Sequence, residues 1–260
     1  MLFKKILCEG SIVLDIGGHK GNYSRLFSAM VGKTGKVYSF EPHPDLYPHL
    51  ENVAVHCPLG NIFPFSYALS DSLGQAALYS GNDQIHDQAS TICVELATSD
   101  RLGQNLRNFQ VKTIPLDFFC KEIEVFPDFV KIDVEGAEDR VISGMRETLR
   151  RFYPTVLFEF GLNKWKNQVP QHLKTLRDFG YTLYLTDFTK FLGDPPYSWE
   201  NTINSSNENL GKSLLEFSDD ELLSTIPFHT NVLAIQRERD RQIFHTTHFM
   251  PLSEAVPLLT

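Results

Sequence analysis

The sequence predicts an α/β fold of the Rossmann-like kind, a three-layer sandwich in which helices cover both faces of a mostly parallel sheet. Three observations predict it. Short apolar runs typical of buried strands alternate with segments of helical periodicity along most of the chain. A glycine-rich turn follows the first apolar run, and acidic residues follow several later ones. Open α/β sheets bind ligands at that end of their strands.

The first 81 residues alternate strand-like and helical segments. Gly32 closes the first helix, and Pro42 closes the second strand because proline cannot extend a hydrogen-bonded ladder. Four prolines between positions 44 and 64 require a short helix in that region. The expected elements are a strand in "SIVLDIG", a helix in "NYSRLFSAMVG", strands in "KVYSFEP" and "FSYALSD", and a hairpin-like extension in "GQAALYSG".

Two polar excursions, at about 81–112 and about 188–228, interrupt the alternation and are expected to form loops or a cap. Neither is large enough for a separate unit, so one domain over 1–260 is predicted. Only a loop joins the last two of about seven strands, which favours an antiparallel last strand at one edge of the sheet. The remaining elements are strands in "DFVKIDVEG", "TVLFEFG", "YTLYLTD" and "TNVLAIQRE" and helices in "AEDRVISGMRETLRRF" and "QHLKTLRDFG".

Composition narrows the class of partner. A net charge of −8 leaves no basic surface for nucleic acid or an anionic membrane, so the expected partner is a small molecule or another protein. The four cysteines lie far apart and are expected to be buried free thiols of a reducing compartment. The apolar start is too short for a signal peptide, and no run is long enough to cross a bilayer. These features predict a cytoplasmic location.

The stretch "VLDIGGHKGNYS" indicates a nucleotide-binding turn. Its glycines, from Gly17 to Gly21, do not have the G-x-G-x-x-G spacing of dinucleotide binders. Asp15 precedes them, and its carboxylate suits a cationic ligand better than a pyrophosphate. S-adenosylmethionine carries both an ammonium and a sulfonium group. Glu41, at the end of the second strand, is placed to accept hydrogen bonds from ribose hydroxyls.

A second group of acids follows later strands. Asp133 and Glu135 come at the carboxyl end of the strand in "DFVKIDVEG", and Glu159 ends the next strand. The three carboxylates are therefore expected to converge on one rim of the sheet, where acids are candidates for acid-base chemistry. Glu138 and Asp139 start the following helix. Two interpretations stay equally open for them, a functional role and a favourable interaction of acidic side chains with the helix N-terminus.

The order of these motifs resembles the FkbM family of S-adenosylmethionine-dependent methyltransferases, from about residue 13 to residue 160. The resemblance implies the class I methyltransferase form of the Rossmann-like fold, S-adenosyl-L-methionine as cofactor, and O-methylation of saccharides, lipids or secondary metabolites. The segments that carry it are "VLDIGGHKG", "FEP", "ALSD", "PLD", "VKIDVEGAE" and "PTVLFEF".

The resemblance also implies roles for single residues. Where the family pattern is D-x-G-A-N-x-G, this chain has Gly18 for alanine and His19 for asparagine. A catalytic role for His19 is a minor alternative to a hydrogen bond with nearby backbone. The implied roles are the cofactor loop for Asp15, Gly17, Gly18 and Gly21, ribose binding for Glu41, adenine contact for Ala68, Leu69 and Asp71, and a place beside the methyl group for Asp133 and Glu135, with Glu138 behind them.

The leading hypothesis is methyl transfer to a hydroxyl, or less readily a nitrogen, of a small molecule or saccharide. Asp133 or Glu135 would act as the base, while Glu159 and Ser90 would line the acceptor pocket. No resident metal is predicted, although the acidic rim leaves a divalent cation as an alternative way to activate the hydroxyl. Two other functions stay open at this point, a nicotinamide-dependent oxidoreductase and a non-catalytic cofactor-binding scaffold.

Overall fold

The structure is a computed structural model, and it describes residues 2–81, 90–93, 106–161, 169–186, 214–216 and 229–237. Within these ranges the strands come from both halves of the chain. They are β1 Ile12–Ile16, β2 Lys36–Phe40, β3 Ile62–Phe65, β4 Ala68–Leu69, β5 Gly74–Ser80, β6 Arg107–Ile114, β7 Phe129–Ile132, β8 Thr155–Gly161, β9 Thr182–Thr186, β10 Leu214–Glu216 and β11 His229–Ile235. Two of them, β6 and β10, include residues of the excursions that were expected to be loops or a cap.

The helices of the described ranges are short, and most connect two strands. The proline-rich segment forms a helix of nine residues, α3, with Pro48 in its first turn, where the missing N–H is tolerated. The helices are α1 Leu2–Ile6, α2 Asn22–Val31, α3 Tyr47–Val55, α4 Leu116–Glu122, α5 Glu138–Ser143, α6 Arg146–Phe152 and α7 Gln171–Asp178.

Eight strands form the main sheet in the order β10-β9-β11-β8-β7-β1-β2-β3. The pairs β1·β2, β2·β3, β1·β7 and β7·β8 are parallel, while β11 is antiparallel to both β8 and β9. The predicted Rossmann-like fold with an antiparallel last strand is confirmed. Its expected place at the edge is wrong, because β11 inserts between β8 and β9 and the short β10 forms the edge.

Two apolar cores, one on each face of the sheet, make the three layers. Successive strand residues alternate between them, so Val13 packs with α1 and α2 while Leu14 packs with α4, α5, α6 and α7. By the same alternation, Asp15 faces the layer of α1 and α2. The alternation along each strand therefore determines on which face of the sheet a side chain of the site lies.

The region after the third strand departs from the prediction. The strand of the main sheet is Ile62–Phe65, three residues earlier than expected, and Pro64 is accommodated because β3 is an edge strand. Ala68 and Leu69 instead begin a second sheet of order β4-β6-β5. Its strand β6 includes part of the excursion that was expected to be a loop. The alternating exposure of 107–112 identifies that part as a half-buried strand.

The helix predicted over 137–152 is two helices, α5 and α6, separated at Gly144. A Cβ at Gly144 would overlap the carbonyl oxygen of Ser70, so the chain passes Ser70 at a distance that only glycine permits. Gly144 therefore permits the close approach of the α5–α6 junction to the segment that follows β4.

All four cysteines carry free thiols. Cys93 and Cys120 are buried as expected, whereas Cys57 is half-buried and Cys8 is exposed, which corrects the expectation for these two. Over the ranges described above, no helix combines the length and apolar character that a membrane span requires.

Candidate active site

The glycine-rich turn after β1 lies tightly against β7. The backbone N–H groups of Gly17 and Gly18 both donate to the carbonyl of Phe40, at 3.0 and 2.9 Å. Gly17 has φ +81°, and a Cβ there would overlap the carbonyl oxygen of Asp133. Only glycine fits both requirements. The turn therefore presents bare backbone to the space above it, as a loop that receives a cofactor must.

Asp15 lies beneath this turn and is fully buried. Ser24 donates a hydrogen bond of 2.6 Å to its Oδ2, and Nζ of Lys131 lies 3.5 Å from its Oδ1. Burial raises the pKa of Asp15 above its usual range, although Lys131 and Ser24 act in the opposite direction. Asp15 is not among the residues that line the cavity described below. The structure thus supports a role beneath the loop and not the direct ligand contact that the sequence suggested.

Gly18, one of the two departures from the family pattern, leaves room for a buried serine. A Cβ at Gly18 would overlap Oγ of Ser39, which is fully buried. Ser39 shares a hydrogen bond of 2.9 Å with Ser24, the donor to Asp15. The glycine at position 18 therefore leaves the space that Ser39 occupies in its hydrogen bond with Ser24.

We expect Gly18→Ala to lower the free energy of unfolding by about 1–3 kcal/mol, the usual range for an overpacked core. In a Ser39→Ala background the same substitution should cost much less, because the obstructing hydroxyl is gone. Urea denaturation of the four proteins of this cycle measures the difference. An equal loss in both backgrounds would mean that Ser39 is not the obstacle.

Glu41 directly follows β2 and lines the cavity. Its Oε2 accepts a hydrogen bond of 2.8 Å from the backbone of His19, and its Oε1 accepts one of 2.9 Å from the backbone of His43. Burial raises its pKa to about 7, although these two backbone hydrogen bonds lower it. The position predicted for ribose binding thus holds an oriented carboxylate whose charge changes near neutral pH.

His19, the second departure, has φ +50° and lines the cavity. Asparagine and histidine are both enriched in this left-handed region, so the family asparagine and this histidine meet the same backbone requirement. The hydrogen bond that joins this position to Glu41 uses the backbone N–H, which does not depend on the side chain.

The acidic rim predicted from the strand ends is present. Asp133, Glu135 and Glu159 each place a carboxylate oxygen within 4.8 Å of the other two, and all three line the cavity. Glu135 has φ +51°, so the turn after β7 holds it in an uncommon conformation for a residue other than glycine. The three side chains could also serve as oxygen ligands for a divalent cation, the alternative left open above.

Lys131 is the cation of this rim, and the sequence reasoning did not assign it a role. Its Nζ lies 3.2 Å from Oδ2 of Asp133 and donates a hydrogen bond of 3.4 Å to the carbonyl of Gly17. The ring centroid of Tyr23 is 4.8 Å away. Burial alone lowers the pKa of Lys131, but the charges of Asp133 and Asp15 outweigh it and raise the pKa above the ordinary value. Lys131 is therefore protonated at neutral pH.

Glu138 lies in the first turn of α5, where an acidic side chain is favourable, and it also accepts hydrogen bonds from the turn before that helix. It is buried, lies outside the cavity lining, and accepts hydrogen bonds from the backbone of Gly136 at 3.1 Å and Val134 at 3.3 Å. Burial raises its pKa to about 7. Its carboxylate therefore stabilises the turn that carries Glu135.

One cavity of about 460 Å³ joins the glycine-rich turn, Glu41 and the acidic rim. A space of this size suits a nucleoside-sized ligand together with part of an acceptor. Of the other predicted residues, Gly18, Ala68, Leu69 and Ser90 line it, while Gly21 lies behind the turn against Val53. Asp71 is exposed and lies outside the lining, so its predicted adenine contact has no support. The residues that the sequence reasoning did not assign include Asn22, Tyr23, Tyr67, Ile92, Lys131 and Asn231.

We compared the sequence with models of known protein families. The methyltransferase FkbM domain matches residues 15–183. The chain belongs to this family. Membership confirms the resemblance stated from the motifs.

Two relatives of the chain bear more specific names. Hexuronic acid methyltransferase AglP of Haloferax volcanii is 29% identical over 143 residues, which make up 55% of this chain and 53% of that protein. The 2-O-methyltransferase NoeI of Sinorhizobium fredii is 30% identical over 152 residues, 54% of this chain and 59% of that protein. The chain thus spans little more than half the length of these relatives.

Among solved structures, the crystal structure of methyltransferase FkbM from Methylobacillus flagellatus superposes with a TM-score of 0.45 and 15% identity, over 69% of this chain and 40% of that one. Fibrillarin from Aeropyrum pernix, solved with natively bound S-adenosyl-L-methionine, superposes with a TM-score of 0.40 and 17% identity, over 69% of this chain and 60% of that one.

Proposed function

We propose that this chain transfers the methyl group of S-adenosyl-L-methionine to a hydroxyl of a saccharide or a related small molecule. The observation that carries the proposal is the single cavity of about 460 Å³ shared by the glycine-rich turn, the Glu41 carboxylate and the acidic rim. A cofactor bound at one end would place its reactive group beside carboxylates at the other. We also propose that the whole chain acts as one domain.

The turn and the β2 end fit the nucleoside part of this cofactor. The absence of a Cβ lets Gly17 pack against the carbonyl of Asp133 and Gly18 against Ser39, and the backbone of both glycines lines the cavity where the nucleoside would lie. Glu41 would accept hydrogen bonds from the ribose hydroxyls, and Ala68 and Leu69 would provide apolar contact for the adenine ring. When bound, the cofactor supplies an activated methyl group, so the protein mainly orients the acceptor.

The acidic rim fits the acceptor end. A hydroxyl is a weak nucleophile, and a carboxylate within hydrogen-bond reach helps to remove its proton. Asp133 and Glu135 both line the cavity and are the candidates for this base. Glu159 and Ser90 line the same space and would contact the rest of the acceptor.

A saccharide acceptor is supported by the names of the two relatives, one a hexuronic acid methyltransferase and the other a 2-O-methyltransferase. The shape of the acceptor end agrees with this choice, because carboxylates that converge within 4.8 Å can accept hydrogen bonds from neighbouring sugar hydroxyls.

S-Adenosylhomocysteine at 100 times its Kd is expected to stabilise the protein by about 2.7 kcal/mol, while NAD at the same concentration should not stabilise it. Thermal unfolding measures this difference. Transfer of a labelled methyl group to members of a panel of hydroxylated sugars then tests the reaction. Stabilisation by NAD alone would favour an oxidoreductase. Binding of S-adenosylhomocysteine with no transfer to any sugar would favour a cofactor-binding scaffold or another acceptor class.

A further inference from the structure

Lys131 joins the two ends of the candidate site. Its side chain is 5% exposed, and its ammonium group touches three separate parts of the site. These are Oδ1 of Asp15 at 3.5 Å, Oδ2 of Asp133 at 3.2 Å and the carbonyl oxygen of Gly17 at 3.4 Å. One cation thus connects the strand beneath the cofactor loop, the loop itself and the acidic rim.

The sheet register creates this position. Asp15 and Lys131 are direct partners in the parallel pair β1·β7, so their side chains leave the sheet on the same face. On that face Tyr23 of α2 covers the ammonium, with its ring centroid 4.8 Å from Nζ. Asp133 follows two residues after Lys131 and extends past the end of the strand into the cavity.

The contact with Asp15 alone has a simple structural reason. A fully buried carboxylate without a nearby cation is strongly unfavourable, and Lys131 supplies that cation. The contact with Asp133 has no such reason, because 39% of the Asp133 side chain is exposed and water can solvate its charge. Nζ nevertheless lies closer to Asp133 than to Asp15. A contact that the solvation of Asp133 does not require is able to orient its carboxylate.

We propose that Lys131 is a positioning residue for methyl transfer. Its ammonium group holds Oδ2 of Asp133, which directs the other oxygen of that carboxylate to the acceptor, and its hydrogen bond to Gly17 ties this orientation to the cofactor loop. Lys131 acts through Asp133 and does not itself contact the acceptor. The inference rests on the proposed methyl transfer and adds to it a residue that sets the geometry between cofactor and acceptor.

The test must separate positioning from the counter-ion role. Lys131→Met alone would leave Asp15 buried with no cation, so the measurements are made in an Asp15→Asn background. There the asparagine oxygen can still accept the hydrogen bond from Ser24. We expect Asp15→Asn/Lys131→Met to unfold at a temperature close to that of Asp15→Asn, and to bind S-adenosylhomocysteine within about threefold of it. Its kcat should be lower by about 10–100-fold, because a small misplacement of a reacting group costs up to about 10²-fold.

A third substitution shows whether the effect passes through Asp133. In an Asp15→Asn/Asp133→Asn background, Lys131→Met should cause little further loss of kcat, because the group it orients has gone. Lys121→Met, which removes an exposed lysine of α4, is the matched control and should leave kcat unchanged. An unchanged kcat in Asp15→Asn/Lys131→Met would make Lys131 a counter-ion only. If Lys131→Met lowers kcat just as much in the Asp133→Asn background, Lys131 does not act through Asp133.

An acceptor-free measurement keeps the inference testable if the double variant does not fold or if no sugar is methylated. A buried, hydrogen-bonded ammonium exchanges slowly with water and gives a resolved ¹H–¹⁵N NMR signal. Lys131→Arg identifies the Lys131 signal by its loss, and Asp133→Asn should shift it strongly, whereas Asp139→Asn should not. No response to Asp133→Asn would overturn the inference. Failure to methylate any sugar, with this response intact, would count against the proposed function alone.

Discussion

Replacing Asp133 by asparagine or Glu135 by glutamine is expected to lower kcat by about 10²–10⁴-fold for whichever carboxylate takes the acceptor proton, and by less for the other. Both side chains line the cavity beside Glu159. The amide has nearly the same shape as the acid but cannot accept a proton, so the loss reports the charge and proton chemistry of the carboxylate and not packing. For Asp133 the loss includes that of its ion pair with Lys131. S-Adenosylhomocysteine affinity, measured by calorimetry, should change little in the same variants.

Asp139→Asn is the matched control for these substitutions. Asp139 lies in the first turn of α5, close in sequence to both candidates, but it is not among the residues that line the cavity. Its kcat should remain that of the unaltered protein. If Asp133→Asn and Glu135→Gln both bind cofactor and methylate acceptor at normal rates, neither residue is the base, and the rim serves another purpose such as cation binding.

Much of the fold could be predicted because buried parallel strands are short apolar runs that turn residues delimit. β1, β2, β7 and β8 lie where these runs predict them. β6 was missed because its alternating pattern is short: Phe109 and Val111 are the apolar residues of 107–112, and both pack into the small core of the second sheet. The insertion of β11 between β8 and β9 depends on pairings between distant segments, which composition and periodicity do not specify.

The site shows the same division. Glu41, Asp133 and Glu159 could be predicted because an acid at or near the carboxyl end of a buried strand lies at the ligand-binding edge of the sheet. Lys131 could not, since a lysine within an apolar run has no local signal for its partners, one of which, the Gly17 carbonyl, is 114 residues away. The burial of Asp15 was missed for a related reason, because Ser24 and Lys131 approach it only in the folded chain.

Cofactor affinity is expected to fall as the pH falls through about 7, because Glu41 loses its charge in that range. Burial raises the pKa of this carboxyl above its usual value, so Glu41 of the ligand-free protein is protonated at lower pH. A protonated Glu41 must lose this proton before it can accept both hydrogen bonds from the ribose. Above pH 8 the carboxylate is charged and affinity should be constant. One pH unit below the pKa only about a tenth of the molecules are charged, which weakens apparent affinity about tenfold.

Calorimetric titration with S-adenosylhomocysteine at pH 6, 7 and 8 measures this dependence. Glu41→Gln should bind more weakly at pH 8 and show no such change between pH 6 and 8, because its amide does not titrate. Glu41→Ala should lose hydrogen bonds to a charged acceptor worth about 1.5–3 kcal/mol each, and bind more weakly still. Affinity that is independent of pH in the unaltered protein, or unchanged in Glu41→Ala, would place the ribose elsewhere. If Glu41→Gln abolishes the pH dependence, the Glu41 carboxylate binds the cofactor. This is the carboxylate that accepts hydrogen bonds from the backbone of His19 and His43.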